Sequence, residues 1–138
     1  MSPAERALHL CRSMNTHPGS IDTRDVVTVC RIGGILDRRL LREMIVYFID
    51  ENERRIATSA QALAAGNRRH LTDAAHALCG SAGLFGAGRL YDLARALEAA
   101  AATEDFGGLG TTLHAVHEEY RAVVTALQTA HPEAWEQQ

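Results

Sequence analysis

Two pairs of side chains in this sequence have the types and spacing to do chemistry. His76 and Cys79 stand three residues apart, and His114 and His117 repeat that interval nearer the C-terminus. Imidazole and thiolate are both nucleophiles and metal ligands, so each pair admits capture of an electrophile or a share in a metal site. Zinc takes three or four converging ligands, and nothing in the spacing makes the pairs converge. A His/Cys metal-binding bundle is therefore the lesser alternative, His114 and His117 read as surface and core-edge residues, and no metal site is expected. Two further signals carry no catalysis. Asp105-Phe106-Gly107 matches a kinase triplet, but 138 residues cannot hold the lobes and catalytic loop that give it meaning. Gly83, Gly86 and Gly88 lack the preceding strand of a dinucleotide fingerprint. No ATP site is legible.

Helical phase singles out His76. At about 100° per residue, Leu78 and Phe85 lie near 200° and 180° from it, with Leu71, Ala74 and Ala82 within roughly 40° of Leu78. The imidazole therefore points away from the apolar stripe. Its own face holds Gly80 and Gly83 after it and Thr72 and Arg69 before it, with Asp73 at one edge and Cys79 at the other. Glycine inside a helix costs about 0.5–1 kcal/mol relative to alanine. On an outward face, the reading that accounts for two of them is close approach by another protein's surface.

The elements that must position this face are helical. Alanine, leucine, arginine and glutamate dominate, and aromatic residues make up only 5%. Residues 1–20 read as an N-terminal extension. Asp22 or Thr23 is placed to cap a short helix through Val26, Val27 and Cys30, ended by Gly33-Gly34. From Asp37 a long helix carries Leu41, Ile45, Phe48, Ile56 and Leu63 to Gly66-Asn67. The next spans roughly 68–85 on the stripe Leu71, Ala75, Leu78, Ala82 and Phe85. A further helix over about 89–102 uses Leu90, Leu93, Ala94, Leu97 and Ala101, and Leu109 to Leu127 mark the last. These predict an all-α fold: an antiparallel up-down four-helix bundle over residues 21–131, a short N-terminal helix capping one end, and a polar tail over 132–138.

If the two central helices fold back around a turn near residue 87, positions equidistant from it lie level. Glu98 is then level with His76, on the shoulder of its helix's apolar stripe. It is placed either to accept the Nδ1 proton, leaving Nε2 as the nucleophile, or to sit solvated on the surface. Arg95 is level with Cys79 and either lends its charge to that face or pairs with Glu98 on its own helix.

The run AHALCGSAGLFG at 75–86 resembles the signature of the histidine-containing phosphotransfer family, His-x-Leu-Lys-Gly-Ser-Ala/Ser followed by Leu-Gly. The likeness extends through GAGRLYDLARALE at 86–98 and the last helix, and upstream to GG-x-x-D at 33–37 and FIDENERRI at 48–56, so that about 22–130 is covered. The resemblance implies a phosphoryl carrier of a two-component phosphorelay. His76 would accept the group from a receiver-domain aspartate and pass it to another receiver, on response regulators or hybrid sensor histidine kinases. Magnesium would be supplied by the receiver, and the chain itself would need no cofactor and have no kinase activity. The family often places Glu or Gln at the position of Glu98 to orient its histidine. Cys79, Gly80, Gly83, Arg95, Arg69 and Thr72 would contact the phosphoryl group or the receiver. The family's lysine is Cys79 here, and a thiol brings no positive charge to phosphoryl oxygens. Arg95 is the nearest replacement, with Arg69 and Arg89 more distant. A receiver-binding module without efficient transfer is the alternative this departure raises.

Composition agrees with a protein partner. Net charge is -3 with a pI near 6.1, which gives no drive toward nucleic acid or anionic lipid. All 14 basic residues are arginine. The cysteines, at 11, 30 and 79, are odd in number and form no CxxC, which favours a reducing compartment. Neither a signal peptide nor an apolar stretch of about 18 residues is present, so no membrane association is expected and the cytoplasm is the expected location. A core that closes within one chain favours a monomer.

Overall fold

The computed structural model describes residues 17–103 and 106–134. Among the described residues five α-helices carry the fold: α1 (Arg24–Val29), α2 (Arg38–Ala65), α3 (Arg68–Leu84), α4 (Gly88–Thr103) and α5 (Leu109–Ala130). The last four pack each on the next, and α2 also meets α5, which closes an antiparallel bundle. Short connections enforce that order. Asp37 starts α2 by accepting the Leu40 N–H at 3.0 Å, and Asn67 starts α3 by accepting the His70 N–H at 3.1 Å. Between them Gly66 leaves α2 in the left-handed conformation, φ 69°.

The turn from α3 to α4 decides the site's register. Gly86 has φ 62°, and a Cβ there would stand 2.3 Å from the Asp22 carbonyl oxygen, so both conformation and space require glycine. Asp22 N–H donates to the Phe85 carbonyl at 3.2 Å, pinning the incoming chain across this turn. Phe85 itself is buried, its ring centroid 4.6 Å from that of Phe48, while Phe48 lies 6.5 Å from Tyr120. The Tyr120 hydroxyl donates to the Ile49 carbonyl at 2.8 Å, and burial pushes its phenol up to about 12. Three helices are thereby locked in register.

The stripes expected from periodicity form the core, with Leu63 half-buried and the rest of their members buried. Each fully buried leucine contributes about 1.5–3 kcal/mol. Three local details differ from expectation. Gly33-Gly34 (φ 60° and 81°) does more than stop a helix: two positive φ angles make the two-residue turn of a small hairpin, β1 (Arg31–Ile32) with β2 (Ile35–Leu36), pairing Arg31 with Leu36 and Ile32 with Ile35. Thr23 stands at the cap of α1 without capping it, because its hydroxyl is paired with Nε2 of His131 at 2.7 Å.

The third difference lies at the ends of the domain. Pro132–Ala134 form a 3-10 turn whose Ala134 is buried against the core, so these residues of the expected tail belong to the bundle. At the other end Gly19 is buried and donates its N–H to Glu119 of α5 at 2.7 Å, so packing begins inside the expected extension. The remainder of the extension, 1–16, and of the tail, 135–138, lies outside the described residues, as does Asp105.

Candidate functional site

His76 occupies the middle of α3, with its side chain 77% exposed, while Leu71, Ala75, Leu78 and Ala82 of the same helix are buried. Opposite it on α4, Glu98 is only 30% exposed and brings Oε2 to 2.7 Å from Nδ1 of the imidazole. An ionised carboxylate can only accept, so the proton on this bond belongs to Nδ1. That assignment leaves the lone pair on Nε2. Among the described residues Nε2 has no hydrogen-bond partner, on a side chain that is largely exposed. A neutral imidazole whose tautomer is held by a carboxylate, with its second nitrogen open, is an oriented nucleophile.

The surroundings of Nε2 are bare. A Cβ added at Gly80 would meet nothing within 4 Å, and one at Gly83 would make only ordinary contact with the Tyr91 ring, at 3.7 Å and 3.8 Å. No packing within the described residues demands glycine at either position. Arg69 is exposed two turns before His76. Thr72 is half-buried, and its hydroxyl donates to the Arg68 carbonyl at 2.9 Å, so its donor is committed to its own helix.

Cys79 departs from its expected place at the edge of this face. It is 6% exposed, belongs to the core cluster, and its Sγ lies 3.9 Å from the Tyr91 carbonyl oxygen in the seam between α3 and α4. Burial pushes the thiol up to about 11; the Glu98 charge adds to the rise and Arg95 opposes it. The cause is the closeness of α4. A side chain about 60° round from His76 falls inside the seam rather than on the rim. The expectation that Cys79 touches an incoming group is thereby corrected: the thiol is neutral and enclosed.

Arg95 does not pair with Glu98, whose carboxylate is engaged by His76. Its Cζ lies instead 5.8 Å from the centroid of the Tyr91 ring. Arg89 is turned away from the site to the buried carboxylate of Glu119, at 3.3 Å. His114 and His117 are exposed on α5, and the described residues contain no group of three His, Cys, Asp or Glu side chains able to hold a metal ion.

Sequence reasoning passed over two features. Arg55 of α2 bridges Asn52 Oδ1 at 2.9 Å and Ser81 Oγ at 2.7 Å, tying α2 to the site's helix. Tyr47 and Leu84, 63% and 44% exposed, rim an apolar groove with Met44, Phe48 and Phe85 beyond the two glycines. The available signal for the second was Leu84, an apolar residue about 80° from His76 and therefore off the core stripe.

A comparison with protein families matches residues 43–130 to the Hpt domain. The chain belongs to the Hpt domain family. The matched segment runs from the first turns of α2 to the end of α5, so this Hpt domain holds both members of the His76–Glu98 pair and the turn that sets their register. Hpt domains are phosphotransfer modules of two-component systems and act as phosphocarriers without kinase activity. Searches of curated proteins and of solved structures return no significant match.

Proposed function

We propose that this Hpt domain carries a phosphoryl group on Nε2 of His76, taking it from the aspartyl phosphate of one receiver domain and giving it to the aspartate of another. The observation that carries the reading is the 2.7 Å bond from Nδ1 to Glu98 combined with an unobstructed Nε2. In the forward step the Nε2 lone pair attacks phosphorus in line. The P–N bond forms as the P–O bond to the receiver's aspartate breaks, and the carboxylate leaves with the electron pair. The Nδ1 proton stays on the ring, where Glu98 stabilises the positive charge that the ring acquires. No proton is released, and the reverse step regenerates the same tautomer. Magnesium belongs to the receiver in this scheme.

Gly80 and Gly83 leave room for the receiver, with Arg69 and Thr72 on the near side and the Tyr47–Leu84 groove on the far side. The partners proposed are receivers of response regulators or hybrid sensor kinases. No helix among the described residues is long and apolar enough to cross a membrane, and we place the protein in the cytoplasm as a monomer.

Incubation with a phosphorylated cognate receiver should give acid-labile, alkali-stable phosphate on the chain, and His76→Gln should abolish it. A wild-type chain that never labels refutes the carrier reading. The enclosed, uncharged Cys79 favours a second reading, a module that docks on receivers without efficient transfer. That reading predicts receiver binding at full affinity with no label.

A further inference from the structure

Phosphorylation of His76 would bring about two negative charges to a nitrogen whose ring already bonds the Glu98 carboxylate at 2.7 Å. The thiol at position 79 is enclosed and offers no cation in return. Like charges so close repel, and a positive group on the same face offsets that repulsion. Arg69 stands two helical turns from His76 on α3, and no contact among the described residues fixes its side chain. Arg95 stands about one turn from Glu98 on α4, level with positions 79 and 80.

What holds Arg95 there is visible in the packing. Tyr91, Arg95 and Glu98 occupy positions i, i+4 and i+7 of α4 and form a row along its α3-facing shoulder. Tyr91 heads the row, its ring edge 3.7 Å from where a Cβ on Gly83 would stand. The Arg95 guanidinium stacks on that ring, 5.8 Å from its centroid, a contact that constrains a long side chain and leaves its N–H donors free. Glu98 completes the row at His76. Among the described residues Arg95 forms no ion pair, so its charge is not neutralised by a neighbouring carboxylate.

We propose that Arg95 is the cation that faces the phosphoryl oxygens of phospho-His76, and that Tyr91 is the positioning residue that holds it there. The proposal rests on His76 being the phosphoacceptor, and it assigns to α4 a charge that α3 lacks.

The test needs no receiver. Phosphoramidate phosphorylates exposed histidines directly, and the phosphorus resonance present in the wild-type chain but missing from His76→Gln reports on this site. Its pH titration is compared among Arg95→Gln, Arg95→Lys, Tyr91→Phe and Tyr91→Leu, each checked for an unchanged melting temperature. A unit charge at about 10 Å in a water-like dielectric moves such a midpoint by about 0.3 pH unit. Loss of Arg95 should raise the midpoint by that amount, Arg95→Lys should recover about half of the difference, and 1 M salt should erase it. Tyr91→Phe should titrate like the wild type. Tyr91→Leu, which keeps the apolar contact but removes the ring, should raise the midpoint partway with Arg95 intact. Identical midpoints for the wild type and Arg95→Gln overturn the proposal, and a wild-type midpoint in Tyr91→Leu overturns the part assigned to Tyr91. Failure of receiver transfer alongside the expected midpoint shifts would count against the carrier reading alone.

Discussion

Replacing Glu98 is the sharpest perturbation available, because one carboxylate is held responsible for the tautomer of one imidazole. The Nδ1–Oε2 distance of 2.7 Å is that of a charge-assisted hydrogen bond. Such bonds contribute about 1.5–3 kcal/mol, and at 30% exposure the lower end applies. A loss of about 1.4 kcal/mol corresponds to a tenfold change in rate, so Glu98→Ala should slow phosphoryl transfer about tenfold. Glu98→Gln keeps an acceptor oxygen without the charge and retains roughly half of that energy, which predicts a loss of about threefold. Rapid-quench measurement of transfer from a phosphorylated receiver supplies the rates. Nitrogen NMR of the imidazole shows in parallel whether the proton leaves Nδ1. Wild-type rates in both variants, with the proton still on Nδ1, would refute the assignment of Glu98 as the orienting group.

Gly80→Ala should stabilise the bundle by about 0.5–1 kcal/mol, since a Cβ there meets open space, and should raise the melting temperature. Gly80→Gln should fold equally well yet slow transfer from a receiver severalfold, and an unchanged rate would show that this face is not approached. Cys79, with its thiol pushed up to about 11 and enclosed, should resist alkylation at pH 8 in the native chain while reacting after denaturation. Site-resolved mass spectrometry that found it labelled at the rate of a free thiol would contradict its burial.

Glu119 offers a stability test. Burial raises its carboxyl pKa, with the Gly19 N–H and Arg89 partly opposing the shift. A raised folded-state carboxyl pKa means that its contribution is greatest below the ordinary carboxylate range and is lost as pH rises through the folded value. Glu119→Gln should remove that decline, which urea denaturation at pH 4 and pH 7 would reveal as a smaller difference between the two conditions.

Periodicity made much of this protein legible without any structure. A helix presents residues at a fixed angle about its own axis, so the stripe of Leu71, Leu78 and Ala82 by itself turned His76 outward. Caps act over three or four residues, which made Asp37 and Gly66-Asn67 readable as helix boundaries. Counting from the glycine turn carried one step further and put Glu98 level with His76, because rise per residue is the same in both arms of a helical hairpin.

Beyond that, sequence spacing has no hold, because it contains neither the distance between two helices nor their rotation about each other. Cys79 lies about as far round α3 as an exposed rim residue would, and only the closeness of α4 enclosed it. Arg95 had two partners within reach. The engagement of Glu98 by His76 removed one of them, and the guanidinium lies against the Tyr91 ring. Likewise, the need for glycine at position 86 comes from Asp22, sixty-four residues away, and the burial of Ala134 from a return to the bundle core. The sequence alone determined that His76 is an outward-facing imidazole on a glycine-bare helix. The approach of a second helix, a matter of tertiary packing, decided which neighbours share its surface and which are lost to the core.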